Sequence, residues 1–405
     1  MSDLVKGNAV IGQSGGPTAV INQSLVGVIE AIGGSRSIPR VIGARHGVRG
    51  IIEKNFVDLK RIRRSLLERV AATPASALGS SRDKPDEEYC RKILGVFEKL
   101  DVRYFFYIGG NDSADTARIV NEISDAAGYD LCVFHIPKTV DNDLRVTDHC
   151  PGYGSAARFV AAAFMGDDRD SASLPGIKIN VVMGRHAGWL TAASALGRLD
   201  DTCGPHLIYV PEIPFSLEQF IRDVGEVHAR LGRCQIAVSE GVADATGTPV
   251  AAALAEKLGR KLERDSHGNV QLSGTGTLGD FLADYVNMEF GGAKKLRIRA
   301  DTFGYLQRCF PGFASPVDQA EARECGRKAV EYVMAGACNG SVAIKRLKGK
   351  GYRVSYFKAE LEDVARETKD MPRSFINKAG NGVTKAFIDY AMPLVGELPI
   401  VGRIL

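Results

Sequence analysis

Three short stretches of glycine, amide and acidic residues each follow an apolar run of this 405-residue sequence. They are residues 12–16 (GQSGG), 109–113 (GGNDS) and 137–143 (PKTVDND). In the first stretch, Gly15 and Gly16 precede a segment with helical periodicity. A Gly-Gly turn that opens a helix lets backbone N–H groups and the positive end of the helix dipole face an anion. We therefore predict a phosphate site at Gly15 and Gly16, although an ordinary tight turn would look the same.

The second stretch places Asn111, Asp112 and Ser113 directly after another Gly-Gly pair. We expect these side chains to cap the following helix, but capping accounts for only one of the three. An amide beside a carboxylate at an anion site is typical of a phosphate bridged by Mg²⁺, which prefers oxygen ligands. The stretch therefore predicts a magnesium-phosphate site.

The third stretch combines a lysine with two carboxylates, Lys138, Asp141 and Asp143. A carboxylate can deprotonate a hydroxyl nucleophile or hold a metal ion, and a lysine can neutralise a transferring phosphoryl group. An Asx-turn at the surface would use the same residue types. As the third polar junction of one parallel sheet, the stretch favours phosphoryl transfer.

Two later segments offer groups that suit a sugar or its substituents. In residues 183–188 (MGRHAG), Arg185 could hold a phosphate or carboxylate and Met183 could form an apolar wall, whereas His186 is expected to be a structural histidine. Glu240 stands at the end of a predicted strand, where an acid suits a sugar hydroxyl.

A further segment, residues 299–308, contains Arg299, Tyr305 and Arg308. Two arginines that bracket a tyrosine could clamp a phosphomonoester, because the guanidinium group binds phosphate through two parallel hydrogen bonds.

Two other patterns point to different chemistry and are weak. Residues 274–279 match the GxGxxG pattern of dinucleotide sites, but the run before them is a poor strand. Residues 12–16 match the GxSxG pattern of hydrolases, but no histidine stands out as a partner for Ser14. The GxxxxGK[ST] pattern of P-loop enzymes does not occur.

The elements that must position these residues alternate between short apolar runs and longer amphipathic runs. Predicted strands cover residues 9–11, 103–108, 131–136, 177–183, 207–210 and 235–238, and predicted helices include residues 18–32 and 114–127. This alternation is typical of an α/β fold with largely parallel sheets, which bind ligands at the carboxyl ends of their strands. The length favours two lobes, with a boundary near residues 151–154. Residues 345–373 are rich in charge and are expected at the surface.

Composition excludes several classes of protein. Hydrophobic residues make up 45% of the chain, and the net charge is only +4, so neither a disordered chain nor a dedicated nucleic-acid binder is indicated. The sequence shows no apolar run long enough to span a membrane, and its eight scattered cysteines are expected to be free thiols of a cytoplasmic protein. The chain contains 45 glycines among its 405 residues, a share of about 11% against an average of about 7%. Such an excess is expected for several tight turns around a small polar ligand.

Taken in order, these six segments resemble the phosphofructokinase family. The resemblance covers about three quarters of the chain, and residues 79–82 (GSSR) also look like the family segment whose arginine, here Arg82, reaches the donor phosphates. It implies two Rossmann-like lobes with the active site in the cleft between them. A phosphoryl-donor lobe would comprise residues 1–152 and about 309–362, and a sugar-phosphate lobe would comprise residues 153–308 and about 363–405.

Two residues resemble the pyrophosphate-dependent branch of the family. ATP-dependent members carry glycine at the positions of Asp112 and Lys138. Asp112 would place a negative charge where the α-phosphate of a nucleotide must pass, a repulsion of about 4 kcal/mol at 4 Å and an effective dielectric constant near 20. Lys138 would supply positive charge to a compact donor that has no ribose or base.

The resemblance implies transfer of a phosphoryl group from pyrophosphate to the 1-hydroxyl of fructose 6-phosphate, a reversible reaction of glycolysis and gluconeogenesis that uses Mg²⁺. The implied catalytic residues are Asp141 as general base, Lys138 and Asp112. Pyrophosphate would be bound by Gly15, Gly16, Arg82, Asn111 and Ser113, and Mg²⁺ by Asn111 and Asp143. Fructose 6-phosphate would be bound by Thr139, Met183, Gly184, Arg185, Glu240, Arg299, Tyr305 and Arg308.

Two alternatives stay open within this family. The donor could be ATP, or the chain could be a regulatory subunit without turnover, although such a subunit would be expected to lose the base or the clamp. The implied assembly is a homodimer or homotetramer. An arginine that neighbouring subunits contribute in bacterial relatives would fall near Gly176, so Arg299, Tyr305 or Lys178 would replace its contact.

Overall fold

The computed structural model describes residues 5–260, 276–290, 296–365 and 367–402. These residues form two compact units. Unit 1 comprises Met1–Ser155 and Arg308–Lys369, and unit 2 comprises Ala156–Gln307 and Asp370–Leu405.

The described residues contain α-helices and β-strands in alternation. The strands are β1 (Asn8–Gln13), β2 (Val41–Ala44), β3 (Phe56–Asp58), β4 (Val102–Gly109), β5 (Cys132–Pro137), β6 (Ile177–Val182), β7 (Leu207–Tyr209), β8 (Cys234–Ser239), β9 (Ile298–Thr302), β10 (Asn339–Arg346) and β11 (Val354–Ala359). The helices are α1 (Ile21–Ile32), α2 (Gly47–Ile52), α3 (Arg64–Ala71), α4 (Glu87–Lys99), α5 (Asn111–Ala126), α6 (Tyr153–Ser173), α7 (Trp189–Ala193), α8 (Leu217–Leu231), α9 (Val250–Lys257), α10 (Thr277–Phe290), α11 (Leu306–Cys309), α12 (Pro316–Met334), α13 (Leu361–Val364) and α14 (Lys385–Val395). Two short 3₁₀ helices cover Ser194–Gly197 and Arg373–Phe375.

Unit 1 contains a seven-stranded sheet with the strand order β11-β10-β5-β4-β1-β2-β3. The five central strands are parallel, and the two edge strands, β3 and β11, are antiparallel to their neighbours. Because β10 pairs with β5, the second segment of unit 1 completes a sheet that its first segment begins.

Strand β4 shows how both faces of this sheet are buried. Tyr104 and Phe106 pack in a cluster with α1 and α12, whereas Phe105 and Tyr107 pack in a second cluster with α4 and α5. Side chains that alternate in direction along a strand explain why the continuous apolar run serves two cores.

Helices α1 and α12 approach each other closely, and two glycines make this possible. A Cβ atom at Gly27 would lie 2.1 Å from the carbonyl oxygen of Arg323, and one at Gly326 would lie 2.2 Å from that of Ser24. The backbones of the two helices are therefore in direct contact, and α12 is firmly fixed in unit 1.

Unit 2 contains a four-stranded parallel sheet with the order β7-β8-β6-β9. Its core is built from these strands together with apolar residues of α8, α9 and α10. This accounts for part of the stretch 217–286, which the family motifs do not require.

The structure confirms the predicted α/β fold with mostly parallel sheets and all six predicted strands. Helix α1 begins at Ile21 rather than near residue 18, and the charge-rich stretch 345–373 contains strand β11 and helix α13.

All eight cysteines are free thiols, and Cys338 is exposed. Residues 274 and 275 of the GxGxxG match lie outside the described residues. No helix within the described residues combines the length and the apolar character needed to cross a membrane.

Candidate active site

Three of the predicted segments come together at one edge of the unit 1 sheet. Residues 14–16, 110–113 and 138–143 follow β1, β4 and β5, which are adjacent and parallel, so their carboxyl ends lie side by side. We call these segments the unit 1 loop cluster. The sheet therefore assembles the first three polar junctions of the sequence, as their spacing predicts.

The Gly15–Gly16 turn is held by two cationic side chains. The Lys138 ammonium group donates a 2.8 Å hydrogen bond to the carbonyl oxygen of Gly16. A Cβ atom at Gly16 would lie 2.6 Å from Nη1 of Arg308, and one at Gly15, whose φ is +74°, would lie 3.1 Å from Nζ of Lys138. Glycine is required here because side-chain cations occupy the space beside the turn.

The segment with Arg82 supports the same turn from the other side. The amide of Gly15 donates to the carbonyl oxygen of Ser81 at 2.9 Å, and the Ser80 hydroxyl donates to the carbonyl oxygen of Gly15 at 2.6 Å. Arg82 itself is exposed, and its charge is one of those that act on Lys138. The Ser80 hydroxyl and the Ser81 carbonyl group thus fix the turn, while the Arg82 side chain stays available to a ligand.

Two details of the sequence interpretation of these turns were wrong. Helix α1 begins five residues after Gly16, so its N-terminus does not follow the turn directly. The N-cap residue of α5 is Gly110, without a side-chain cap, and Asn111, Asp112 and Ser113 occupy the first three helical positions instead. None of the three is therefore the N-cap residue of α5, and two of them contact other residues: Asn111 donates to Asp143 and Asp112 pairs with Lys84.

Asp143 is the centre of a hydrogen-bonded group in the third segment. Its Oδ1 accepts from the Thr139 hydroxyl and its Oδ2 accepts from the Asn111 amide, both at 3.1 Å. The Thr139 hydroxyl oxygen also accepts from the amide of Asp141 at 3.0 Å. Between the two acids, Asn142 is fully buried with a φ of 55°. The turn is therefore specified by its own side chains.

Burial shifts the pKa values of two groups in the unit 1 loop cluster. Burial and, after it, the charge of the nearby Arg308 lower the pKa of Lys138, whereas Asp141 and Asp143 act in the opposite direction, and the net pKa is about 8. Burial raises the pKa of Asp143, and the hydrogen bond from Thr139 opposes this shift. A buried lysine with a bound anion is the arrangement that stabilises charge on a transferring phosphoryl group.

Asp112 lies on the exposed side of the first turn of α5. Its Oδ1 is 3.1 Å from Nζ of Lys84, and the two side chains are 64% and 75% exposed, respectively. Lys84 is a residue that the sequence analysis missed; its position two residues after Arg82 was the available signal. Because solvent screens an exposed charge, the repulsion of a nucleotide by Asp112 falls between about 1 kcal/mol, the value in water at 4 Å, and the about 4 kcal/mol expected from the sequence.

The predicted segments of unit 2 also meet at one sheet edge. Residues 183–188, 239–241 and 303–307 follow the adjacent parallel strands β6, β8 and β9, and we call them the unit 2 loop cluster. The amide of Met183 donates to Oε1 of Gln307 at 3.3 Å, and the amide of Glu240 donates to the carbonyl oxygen of Val182 at 2.9 Å. Glu240 is 6% exposed.

Close backbone contacts fix the shape of the unit 2 loop cluster. Gly184 has a φ of 139°, and its carbonyl oxygen accepts from the Ser239 hydroxyl. A Cβ atom at Gly241 would lie 1.9 Å from the carbonyl oxygen of Arg185. The loops that carry Met183 and Glu240 are therefore packed directly on one another.

The cationic and aromatic side chains of unit 2 are arranged differently. Arg185 and His186 are exposed, and Tyr305 is 53% exposed. The prediction of a structural role for His186 was wrong, because a histidine that satisfies a core would be buried. Arg299 is paired in register with Lys178 near the start of β6, so it lies at the opposite end of the sheet from Met183. Arg299 does not join the unit 2 loop cluster within its own unit.

Two buried polar residues that contact the unit 2 loop cluster from within or beside it were also missed. Gln307 is 2% exposed and links Met183 to the carbonyl oxygen of Gly304. Glu212 accepts from the amides of Gly188 and Met371 at 2.8 and 3.1 Å, and burial raises its pKa. Gln307 stands within the segment 299–308 that the sequence analysis singled out, beside Arg308, whereas Glu212 belongs to no motif and had no local signal.

The unit 1 loop cluster fits a magnesium ion through Asn111 and Asp143. The Asn111 amide nitrogen donates to Asp143, while its Oδ1 is buried and receives no hydrogen bond from a described residue. An amide oxygen beside a carboxylate matches the usual protein share of a Mg²⁺ site, in which substrate phosphates and waters complete the octahedron. The described residues contain no group of three or more His, Cys, Asp or Glu side chains that could hold a metal by themselves.

Comparison with known proteins identifies the family of this chain. The family model described as phosphofructokinase matches residues 8–333. Pyrophosphate–fructose 6-phosphate 1-phosphotransferase of Rhodospirillum rubrum is 54% identical over 97% of this chain and 95% of its own length. The enzyme of the same name from Xanthomonas campestris is 37% identical over 98% of this chain and 94% of its own length.

Among solved structures, the pyrophosphate-dependent phosphofructokinase of Marinobacter aquaeolei superposes with a TM-score of 0.85 and 33% sequence identity, over 98% of this chain and 93% of that chain. The matched residues of the family model include every segment of both loop clusters. Because the family model matches most of the chain and a relative that covers nearly all of it is 54% identical, the chain is a member of the phosphofructokinase family.

Proposed function

We propose that this chain transfers a phosphoryl group from pyrophosphate to O1 of fructose 6-phosphate, giving fructose 1,6-bisphosphate and phosphate. The observation that carries this proposal is the buried Lys138 ammonium group, which donates to the carbonyl oxygen of Gly16 and so fixes a positive charge beside the Gly15–Gly16 turn. Relatives with 54% and 37% identity that bear the name of this activity support it.

Asp141 is the general base of the proposed reaction. Its carboxylate takes the proton of the 1-hydroxyl while O1 forms a bond to the transferred phosphorus. The bond from that phosphorus to the bridging oxygen of pyrophosphate breaks, and inorganic phosphate leaves with the electron pair. The hydrogen bond from the Asp141 amide to Thr139 keeps the base at a fixed place in its turn.

The cations of unit 1 stabilise the charge that spreads over the transferred group. Lys138 and Arg308 are held beside Gly16, and Arg82 is exposed at the same sheet edge. We propose that the Gly15–Gly16 turn, Asn111 and Ser113 bind pyrophosphate. Mg²⁺, held by Asn111 and Asp143 together with the phosphates, would neutralise oxygens of the donor.

The sugar phosphate is proposed to bind through residues of both units. Those residues are Thr139, Met183, Gly184, Arg185, Glu240, Arg299, Tyr305 and Arg308. The exposed Arg185 suits the phosphate and the buried Glu240 suits a hydroxyl. Pyrophosphate and the phosphate esters have similar group-transfer energies, so the reaction should run readily in both directions.

The proposed function is tested by kinetics with two donors and several acceptors. Purified protein is assayed with pyrophosphate and with ATP, with and without Mg²⁺, over a panel of sugar phosphates. We expect turnover with pyrophosphate, fructose 6-phosphate and Mg²⁺. A higher kcat/KM with ATP would instead support the ATP-dependent alternative, and absence of turnover with either donor would support a regulatory subunit.

Donor choice is tested with Asp112→Gly, Lys138→Gly and the double variant. Because Lys138 is buried and Asp112 is exposed, we expect Lys138→Gly to lose more pyrophosphate activity, by at least about 10²-fold in kcat/KM. The double variant should gain slow ATP activity that neither single variant equals, since both side chains act on one donor site. Undiminished pyrophosphate turnover in Lys138→Gly would contradict this account of donor choice.

The position of Arg299 supports an assembly of identical subunits. Arg299 is exposed and lies at the opposite end of the unit 2 sheet from the unit 2 loop cluster. We propose a homodimer or homotetramer in which Arg299 reaches the sugar phosphate of a neighbouring copy. Co-refolding of Asp141→Asn with Arg299→Ala should then restore activity, because mixed assemblies contain sites in which both residues are native. Activity that stays at the level of the two separate variants would contradict shared sites.

We place this reaction in the cytoplasm. All eight cysteines are free thiols, which is usual for proteins of a reducing compartment.

A further inference from the structure

A cluster of buried polar side chains around His149 lies next to the unit 1 loop cluster, and none of them has a role in the proposed reaction as described so far. His149 is 3% exposed, and both of its ring nitrogens contact carboxylates: Nδ1 is 2.9 Å from Asp148 and Nε2 is 2.6 Å from Glu321. The hydroxyl of Tyr352 donates to Oε1 of Glu321 at 2.6 Å and lies 3.2 Å from Nε2 of His149. Three distant parts of the chain, namely residue 149, helix α12 and the turn between β10 and β11, therefore meet at one point.

The backbone around His149 supports the turn that carries the two acids. The amide of Cys150 donates to Oδ1 of Asn142 at 2.9 Å, and Asn142 is the fully buried residue between Asp141 and Asp143. The amide of Thr139 donates to the carbonyl oxygen of Pro151 at 3.1 Å. The turn of residues 138–143 thus rests on residues 150–152, which directly follow His149.

Lys369 holds the same region from the far end of unit 1. Its amide donates to the carbonyl oxygen of Asp143 at 2.7 Å. Its ammonium group donates to the carbonyl oxygens of Thr147 and Asp148 at 3.0 and 2.8 Å. Both Tyr352 and Lys369 come from the stretch 345–373, whose purpose the sequence motifs left unexplained.

We propose that Tyr352, Glu321 and His149 are positioning residues for phosphoryl transfer, and that they act by holding the turn of residues 138–143 in place. This inference rests on the proposed function, in which Asp141 is the base. General-base catalysis needs the carboxylate within hydrogen-bond reach of the hydroxyl, and a displacement of 1 Å can cost about 10²-fold in rate. A network that fixes residues 150–152 therefore controls kcat without contact to either substrate.

Tyr352→Phe is the sharpest test because it removes one hydroxyl group and nothing else. Tyr129→Phe is the matched control: its hydroxyl donates to the carbonyl oxygen of Val102 at 2.8 Å, within the same unit but at the opposite end of the sheet. We expect kcat to fall about tenfold in Tyr352→Phe, with both KM values within about twofold of wild type, and to stay unchanged in Tyr129→Phe. Equal kcat values in the two variants, or a rise in KM in place of a fall in kcat, would overturn the proposal.

Glu321 provides a second test by conservative replacement. Glu321→Gln keeps an oxygen that can accept from Tyr352, whereas Glu321→Ala removes the acceptor. We expect Glu321→Gln to retain more kcat per folded protein than Glu321→Ala. The reverse order would contradict a role in positioning.

Hydrogen exchange separates this inference from the proposed function, since it needs no turnover. Peptides that cover residues 138–152 should exchange faster in Tyr352→Phe than in wild type, and should be unchanged in Tyr129→Phe. Faster exchange in a protein that turns over neither donor would support the contact network while the proposed function fails. Unchanged exchange in Tyr352→Phe would overturn the positioning role whatever the activity.

Discussion

The two loop clusters differ in how their functional side chains are buried and held. In unit 1 the charged side chains Lys138 and Asp143 are buried and bonded, whereas Asp112 is exposed: Lys138 is 3% exposed, and Asp143 accepts two hydrogen bonds. In unit 2 the backbone is tightly packed, through Gly184 and Gly241, but the side chains Arg185 and Tyr305 are exposed. The difference therefore lies in the cations: Lys138 of unit 1 is buried and hydrogen-bonded, whereas Arg185 of unit 2 is exposed to solvent.

This difference separates chemistry from recognition. Charges that are held in place in a poorly solvated site stabilise a transition state without reorganisation, so their loss should lower kcat. Charges that are hydrated before the substrate arrives contribute equally to the ground state and the transition state, so their loss should raise KM. The comparison therefore predicts kcat effects in unit 1 and KM effects in unit 2.

The largest expected effect tests the unit 1 side of the comparison. Asp141→Asn keeps the size of the side chain but removes the proton acceptor, so kcat should fall by about 10²–10⁴ with little change in KM for fructose 6-phosphate. Steady-state kinetics measure both quantities. The control is Asp86→Asn at the N-cap of α4, where asparagine caps as well as aspartate. Activity within about tenfold of wild type would remove Asp141 from the role of base.

The unit 2 side is tested by Arg185→Gln. A hydrogen bond to a charged group contributes about 1.5–3 kcal/mol, so KM for fructose 6-phosphate should rise about 10- to 100-fold while kcat changes little. Arg222→Gln, an exposed arginine of α8 that bonds Gln219, is the control. A fall in kcat without a rise in KM would show that the comparison between the clusters is mistaken.

Titration of Lys138 should make kcat/KM for pyrophosphate depend on pH, whereas the residues of unit 2 should not. Its pKa of about 8 means that the ammonium form dominates below that pH and the neutral form above it. The neutral form cannot stabilise phosphoryl charge, so kcat/KM for pyrophosphate should fall about tenfold per pH unit above pH 8. In Lys138→Arg, where the guanidinium stays charged, the residual activity should lack this decline. A decline at the same pH in Lys138→Arg would assign it to another group.

The smallest expected effect comes from the contact between Gly16 and Arg308. Gly16→Ala would place a methyl group 2.6 Å from the guanidinium and displace it, with a fall in kcat of about three- to tenfold. Gly34→Ala is the control, because a Cβ atom there meets no atom within 4 Å. In an Arg308→Ala background Gly16→Ala should have no further effect. An undiminished effect in that background would mean that the glycine serves something other than the arginine.

The sequence predicted six of the eleven strands in the described residues, each from a local apolar run. The run RYFFYI at residues 103–108 is continuously apolar because β4 is buried on both faces, and it was assigned correctly. Strand β11, with the sequence VSYFKA, was missed because an edge strand alternates between polar and apolar residues and stands in a charged stretch. Neither its length nor its composition distinguishes it from a surface loop.

For the candidate site, the sequence predicted which residues meet but not how they are held. Glycine pairs at strand ends located the unit 1 loop cluster, because close approach of the backbone demands that residue type. The supports of that cluster lie far away in sequence: Glu321 is 172 positions from His149, and Tyr352 is 203 positions from it. Such pairs depend on tertiary packing, so a single sequence does not reveal them.

The insertion of β10 beside β5 has a consequence for the nascent chain. His135 of β5 and Ser341 of β10 share a hydrogen bond across 206 positions, so a ribosome that adds about 5–20 residues per second needs about 10–40 s to supply the second strand. For that interval β5 is an open strand edge, which invites pairing with other chains. All four strands of unit 2 are synthesised in the same interval. We therefore expect the turn of residues 138–143 after β5 to be among the last parts of unit 1 to mature, and β5 to be the place where a chaperone would act during synthesis.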